Sequence, residues 1–263
     1  MKSRRHILAA ILIFCTPLLC FSAAAKKLTP EQKAQLNRDL LSAAQSNLVD
    51  RVKQLLFQGA DPNAKDEGEG SRGRTALQFA ALGGSKEIVS SLIAAKADVN
   101  AVDAMHFTAL MAAASKGNTD ALNALLKAGA EVNAKEDSQG LTALLYASNA
   151  GYTDSVKALL QAGADVTATE NKRNATSLML ASYRNHKEAV SALIEGKADV
   201  NAKDVEGLTA LMLAAVASNL EIMSLLIQAG ADVNMAAPNG NTALKLAKTR
   251  EAEDLLRQAG AIK

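Results

Sequence analysis

A short phrase recurs along this chain at a nearly constant interval. It reads Thr-Ala-Leu or Thr-Ser-Leu and begins, every 33 or 34 residues, at Thr75, Thr108, Thr142, Thr176, Thr209 and Thr242. A second phrase, close to Gly-Ala-Asp-Val-Asn, begins at Gly59, Lys96, Gly129, Gly163, Lys197 and Gly230. A period of this length is the signature of stacked supersecondary units. The 263 residues are therefore expected to form one elongated array rather than two compact domains.

Each unit contains two short helical segments. Val156, Leu159 and Leu160 lie at positions i, i+3 and i+4, which places an apolar stripe on one face of a helix. Small residues on the preceding segment of a unit, such as Ala113 and Ala114, allow two helices to approach closely. Two such helices cannot bury their apolar faces alone, so the stacking of successive pairs is needed to complete the core.

The second phrase marks the exit of the second helix. Glycine adopts a left-handed backbone there at little cost, and four of the six phrases begin with Gly. Lys96 and Lys197 stand at this position in the other two. If these exits keep the same backbone, each Lys costs about 1 kcal/mol. We therefore predict that the exits at Lys96 and Lys197 are the two least stable connections between successive units.

The repeat resembles that of the ankyrin family, whose unit contains a turn, a T-P-L-H helix start, a second helix and a G-A-D-V-N exit. The resemblance covers about residues 40 to 263. It departs from the family at the helix start, where Ala or Ser replaces Pro and the His position holds Gln78, Met111, Leu145, Met179, Met212 and Lys245. Since that His ties neighbouring turns in the family, these turns are expected to rely more on apolar packing.

The resemblance implies an all-α fold. We expect an ankyrin-repeat solenoid of helix-turn-helix repeats with β-turn or hairpin fingers, forming a curved single domain. Residues 26–73 are assigned to an N-terminal linker and capping repeat with a long first finger, residues 74–240 to five internal repeats, and residues 241–263 to a shortened C-terminal capping repeat. Thr29 and Gln32, with Pro30 between them, predict a capping box at the start of the first helix.

Residues 1–25 have the layout of a secretory signal peptide. Lys2, Arg4 and Arg5 precede a charge-free apolar run that ends in three alanines. The segment is expected to export the repeats to the periplasm or beyond. Cleavage is expected between Ala25 and Lys26. Both cysteines of the chain fall within the removed segment, so the mature protein contains no cysteine.

Three other interpretations of this segment stay open. The apolar run is just long enough to remain in the bilayer as an uncleaved anchor. Leu18-Leu19-Cys20 resembles a lipoprotein cleavage site, although Leu19 is bulkier than the small residue that usually precedes the Cys. Arg4 and Arg5 resemble a twin-arginine export signal. In all of these interpretations the repeats lie outside the cytoplasm.

The mature chain offers few groups that could carry out chemistry. It holds 26 Lys and Arg against 27 Asp and Glu, a near-neutral balance that argues against nucleic acid as the partner. His106 and His186 lie two repeats apart, too far to share a metal. Acidic residues recur in the exit turns, as at Asp165, where hydrogen bonds to nearby backbone explain them. We therefore predict no catalytic residues, no metal site and no cofactor.

Proteins of the resembled family bind partners with the finger tips and the exposed side of the first helix, which line a concave groove. Transferred residue by residue, the resemblance gives a protein-binding groove formed by Arg72, Arg74, Leu82, Met105, Phe107, Lys116, Gln139, Leu141, Asn149, Lys172, Arg173, Tyr183, Arg184 and Leu208. Apolar finger tips and a basic face both exceed what folding requires. The alternative is that the apolar tips pack on neighbouring fingers and the charges are only solvated.

The resemblance and the predicted export together give a functional hypothesis. The chain is expected to be a non-enzymatic binder in the bacterial envelope that sequesters or inhibits an exported enzyme, such as a peptidoglycan hydrolase or endopeptidase, as a self-protection or immunity protein. Two alternatives are a support factor for an envelope catalase and a secreted effector directed at a host cell. None of these functions involves nucleic acid or a small-molecule cofactor, and membrane contact is expected only through an uncleaved signal segment.

Overall fold

The structure, a computed structural model, describes residues 28–68 and 72–262. These ranges hold fourteen helices: α1 (Pro30–Gln45), α2 (Val49–Phe57), α3 (Ala76–Gly83), α4 (Lys86–Ala94), α5 (Ala109–Lys116), α6 (Thr119–Lys127), α7 (Ala143–Ala150), α8 (Thr153–Gln161), α9 (Ser177–Tyr183), α10 (Lys187–Glu195), α11 (Ala210–Val216), α12 (Leu220–Gln228), α13 (Ala243–Leu246) and α14 (Arg250–Gln258). The predicted all-α fold is confirmed. The predicted signal segment, with Ala25 and Lys26, lies outside the described residues.

The helices are arranged in two layers. The odd-numbered helices pack side by side from α1 to α13, and the even-numbered helices stack in the same order from α2 to α14. Each even-numbered helix also packs against the odd-numbered helix that precedes it. In the last pair the first helix, α13, has only 4 residues. This is the solenoid of helix pairs that the sequence period predicts.

A threonine begins every first helix of the stack. At α3, the Thr75 hydroxyl accepts the backbone N–H of Gln78 at 3.3 Å, and the Gln78 side chain accepts the backbone N–H of Thr75 at 2.7 Å. The predicted capping box of Thr29 and Gln32 has the same form. Such caps satisfy N–H groups that have no partner within the helix. The threonine therefore recurs in the sequence because it caps the first helix of each unit.

The core is built from alanines of the first helices and leucines of the second. Ala113 and Ala114 of α5 are fully buried, as are Leu122 and Leu125 of α6. The alanines let the first helices lie close together, and the leucines fill the space between the layers. Truncation of such a leucine to Ala is expected to cost about 2–5 kcal/mol.

The exits of the second helices have the predicted left-handed backbone. Gly129 has a φ of 87°, and the two exceptional residues, Lys96 and Lys197, have φ angles of 69° and 67°. The lysines therefore keep the backbone of the glycine exits and bear the steric cost of a side chain there.

An asparagine ladder joins the exit turns of successive units. Asn133 Oδ1 accepts the backbone N–H of Asp165 at 2.8 Å, and Asn133 Nδ2 donates to the Gly163 carbonyl at 3.3 Å. Equivalent bonds are made by Asn63, Asn100, Asn201 and Asn234. Thr167 holds this position in one unit and bonds its own turn instead, at 2.6 Å from Asp165 Oδ1. A cavity of about 390 Å³ lies beside Thr167.

A finger precedes each first helix from α3 to α11 and is closed by a backbone hydrogen bond. The N–H of Asp103 donates to the Phe107 carbonyl at 3.2 Å, and the same pattern closes the other fingers. The first finger spans residues 66–74, the second 103–107, the third 136–141, the fourth 170–175 and the fifth 204–208. Residues 69–71, within the sequence of the long first finger, are not among the described residues.

Candidate protein-binding groove

The fourth finger lies over an open cavity of about 440 Å³ between the fingers and the first helices. This groove cavity is lined by eight residues of the predicted binding set, namely Gln139, Leu141, Asn149, Lys172, Arg173, Tyr183, Arg184 and Leu208. The other six are carried by the first two fingers and by α3 and α5, outside this cavity: Arg72, Arg74, Leu82, Met105, Phe107 and Lys116. The structure thus brings just over half of the predicted site together.

The floor of the groove cavity is apolar. It includes Leu180 on α9 and Leu213 on α11, neither of which belongs to the predicted set. Leu180 lies three positions before Tyr183, so the two share a helical face. Val216 lies three positions after Leu213 and lines the same cavity. The helical spacing was a signal that could have identified this floor.

Buried carboxylates hold the third and fourth fingers in shape. Glu136 accepts the backbone N–H groups of Ser138 and Gln139 at 2.8 Å and of Leu141 at 3.1 Å. Burial works to raise the pKa of Glu136, but hydrogen bonds from the Ser138 hydroxyl and from the three N–H groups outweigh burial and lower the pKa. A charged Glu136 therefore fixes the third finger.

The fourth finger has the same internal support. Glu170 accepts the backbone N–H groups of Lys172 at 2.7 Å, Arg173 at 2.6 Å and Ala175 at 3.3 Å. Both oxygens of Glu170 take part in these bonds. These hydrogen bonds therefore fix the backbone that carries the side chains of Lys172 and Arg173.

Two of the predicted basic residues are engaged inside the fold. Arg74 Nε lies 3.4 Å from Asp103 Oδ2, and Arg173 lies 3.1 Å from Asp204 Oδ2 and 3.3 Å from Glu206 Oε2. The side chains of Asp103 and Asp204 are almost fully buried. Each arginine thus neutralises a buried carboxylate of the next finger, and its role in binding a partner stays a prediction.

Phe107 is likewise packed within the molecule. Its ring meets the ring of Tyr146 edge-to-face, with centroids 5.6 Å apart, and the Arg74 guanidinium lies 5.9 Å from its centroid. Burial, together with the negative charges of Glu136 and Asp103, raises the pKa of Tyr146 to about 12. Packing on neighbouring elements therefore explains the apolar tip at Phe107, and a binding role for it stays a prediction.

Other members of the predicted set are open to solvent. Tyr183 is 50% exposed, and Gln139 and Asn149 are also exposed. Four basic residues are exposed and make no ion pair in the described part of the chain: Arg72, Lys116, Lys172 and Arg184. The basic character of this face thus rests on these four side chains, two of which line the groove cavity.

Backbone hydrogen bonds connect successive fingers. The N–H of Asn171 donates to the Gln139 carbonyl at 2.7 Å, and the N–H of Val205 donates to the Arg173 carbonyl at 2.8 Å. The first three fingers are joined in the same way. The Gln78 side chain also donates to the Phe107 carbonyl. Polar contacts thus also join the turns, and the expectation that these turns rely more on apolar packing than those of the family stays a prediction.

The two histidines of residues 28–68 and 72–262 have local roles. His106 has a φ of 53° at a finger tip, and its Nδ1 lies 2.5 Å from Asp137 Oδ2. His186 Nε2 lies 3.1 Å from the carbonyl oxygen of Asn149, at the end of α7.

Across the described residues, no group of three or more His, Cys, Asp or Glu side chains is arranged to hold a metal ion. No helix described by the structure is long and apolar enough to span a membrane.

The family of ankyrin repeats matches this sequence in three segments, residues 40–136, 134–204 and 178–258. The chain belongs to the ankyrin-repeat family. Its fold is similar to that of the ankyrin repeat domain of Bcl-3, a unique member of the IkappaB protein family, with a TM-score of 0.73 and 28% identity over 83% of this chain and 97% of that one. The human ASB11 ankyrin repeat domain gives a TM-score of 0.74 and 26% identity, over 85% of this chain and 98% of that one.

A curated relative matches only part of this chain. Human mitochondrial disaggregase is 40% identical over 87 residues, which are 32% of this chain. The match spans only 12% of the length of that protein. Ankyrin repeats are protein-interaction modules, and the groove cavity offers a surface of the corresponding kind.

Proposed function

We propose that this chain is an exported ankyrin-repeat protein that binds and inhibits, or sequesters, an exported enzyme of its own cell. The target class is a peptidoglycan hydrolase, in particular an endopeptidase, and the role is self-protection or immunity. The observation that carries the proposal is the groove cavity, which combines an apolar floor with exposed Lys172 and Arg184 at its edge, both without an ion pair among the described residues.

Binding, rather than catalysis, accounts for the polar groups of the groove. The carboxylates that line it, Glu170 and Asp204, accept backbone N–H groups of their own fingers. A general acid or base needs a carboxyl group that can reach a substrate proton. These two groups are engaged with the chain itself, so they serve the shape of the binding surface.

The proposed compartment follows from the N-terminal sequence. A basic start, an apolar run and an alanine-rich exit before Lys26 are typical of a cleaved export signal. A protein exported together with a wall-cleaving enzyme of the same cell can restrain that enzyme where it acts. This combination of export and a non-catalytic binding surface leads to the immunity role.

Co-purification from envelope extract tests the proposal. The tagged full-length chain is expressed in its own cell, its mature N-terminus is sequenced, and the captured proteins are identified. We expect a start at Lys26 and capture of a wall hydrolase that is less active when bound. Intact Met1 would support the anchor, a lipid on Cys20 would support the lipoprotein, and capture of a catalase would support the alternative role.

A genetic experiment separates immunity from general envelope maintenance. Deletion of this gene should injure the cell only when the hydrolase is produced. Equal injury in a strain that also lacks the hydrolase gene would overturn the immunity role while leaving the binding function intact.

A further inference from the structure

We infer that the groove cavity binds a segment of the partner in which an apolar side chain is flanked by carboxylates. This inference rests on the proposed function only in taking the ligand to be a protein. It concerns the chemistry of recognition, which the identity of the hydrolase does not determine.

The floor provides the place for the apolar side chain. Leu180 and Val216 are only half-buried, and Leu213 lies below them with little exposure. Leu141 and Leu208, on the third and fifth fingers, form part of the walls. A space of about 440 Å³ falls within the roughly 300–1,000 Å³ typical of ligand pockets. An aromatic or aliphatic side chain placed there would cover surface that water now contacts.

The charges around the cavity select the flanking residues. Its acidic lining residues, Glu170 and Asp204, are buried and engaged with backbone N–H groups, and Asp204 is also neutralised by Arg173. Lys172 and Arg184 are exposed and have no such partner in the described residues. The exposed charged side chains in the cavity lining are therefore both cations, whereas the carboxylates are turned inward, and this favours carboxylates of the partner beside the apolar anchor.

Hydrogen bonds fix the backbone at both Lys172 and Arg184. The N–H of Lys172 is held by Glu170, and the N–H of Arg184 donates to the Leu180 carbonyl at 3.1 Å at the end of α9. Binding therefore orders two side chains but no loop, which limits its entropic cost. The adjacent Tyr183, half exposed, supplies an amphipathic contact between the apolar floor and the charged edge.

The test selects peptides directly on the groove and does not require the partner to be identified first. A phage-displayed library of random dodecapeptides is selected on the chain from Lys26 to Lys263, and the enriched peptides are synthesised for titration. We expect sequences with a Leu, Met or aromatic residue flanked by Asp or Glu. Lys172→Glu combined with Arg184→Glu should weaken their binding by at least about tenfold, and less at high salt.

The matched control reverses two charges elsewhere. Lys127 and Lys157 are exposed on α6 and α8, in the other layer, and Lys127→Glu with Lys157→Glu should leave binding unchanged.

Leu180→Gln should weaken binding without a change in helix content, measured by circular dichroism. Enrichment of basic peptides, failure to enrich any, equal loss in the control, or tighter binding of an oligonucleotide than of the acidic peptides would overturn the inference. A hydrolase captured through another surface would leave the proposed function standing alone.

Discussion

The Arg173 guanidinium lies 3.1 Å from Asp204 Oδ2, so that a side chain of the fourth finger neutralises a carboxylate at the base of the fifth. Asp204 is buried and also accepts the backbone N–H groups of Glu206 at 2.9 Å and Leu208 at 2.8 Å. The pair therefore connects the shape of one finger with the position of the next. Because Arg173 remains partly exposed, it belongs both to the fold and to the face of the groove.

Replacement of Arg173 should lower the stability of the fold. Arg173→Ala leaves the buried Asp204 carboxylate without its cation, at an expected cost of about 1–3 kcal/mol in the free energy of unfolding. Arg184→Ala, which breaks no ion pair in the described residues, is the matched control. Urea denaturation compares the two, and equal stabilities would show that the Arg173 pair does not support the fingers.

Replacement of Thr167 should repair the interrupted asparagine ladder. In Thr167→Asn, the new amide can accept the backbone N–H of Asp199 and donate to the Lys197 carbonyl, as Asn133 does one unit earlier. A gain of about 1 kcal/mol is expected. The reverse change, Asn133→Thr, should cost a similar amount. If thermal unfolding of the two variants shifts in the same direction, the ladder is not what joins these turns.

Much of this arrangement could be predicted from the sequence, and the reason is local. The threonine starts and the left-handed exits at Lys96 and Lys197 depend on a few consecutive residues, so a repeated phrase is enough to predict them. The stacking of pairs follows because a single helix pair leaves its apolar face exposed. These features do not depend on the identity of distant neighbours.

The roles of the finger residues depend on neighbours from other repeats. Glu136 is an exception, because its buried carboxylate accepts N–H groups of its own finger. Phe107 meets Tyr146, and Arg74 meets Asp103, across repeat boundaries. The sequence predicted which face carries these side chains but not which of them are already engaged.

Glu136 should make the stability of the third finger dependent on pH. Its folded pKa lies below the ordinary value of 4.5, so its contribution is fully present above that value and is lost as the pH falls through the lowered pKa. Glu136→Gln should destabilise the chain by about 1–3 kcal/mol at neutral pH. The difference from the wild type should shrink on acidification to about pH 3. Glu131→Gln, at an exposed position, should show no such trend in urea titrations.

Gly117 and Gly129 offer a matched test of close packing between units. Both have left-handed backbones, with φ angles of 68° and 87°. A Cβ at Gly117 would lie 2.4 Å from Tyr152 Cδ1, whereas a Cβ at Gly129 would meet no atom within 4 Å. Gly129→Ala should cost about 1 kcal/mol, and Gly117→Ala should cost at least about 1 kcal/mol more. Adding Tyr152→Ala to Gly117→Ala should recover part of that difference in calorimetry, and no recovery would contradict the proposed clash.

Site-specific photo-crosslinking shows which protein contacts the groove cavity in the cell. A photoreactive phenylalanine analogue is placed at Tyr183, beside the groove cavity, or at Phe57, which is 92% exposed on α2 far from that cavity. The crosslinked products are then identified by mass spectrometry after irradiation of living cells. We expect the Tyr183 position to crosslink to an exported wall hydrolase and the Phe57 position not to do so. Absence of any crosslink at Tyr183, or the same product from both positions, would contradict the assignment of the groove as the binding site.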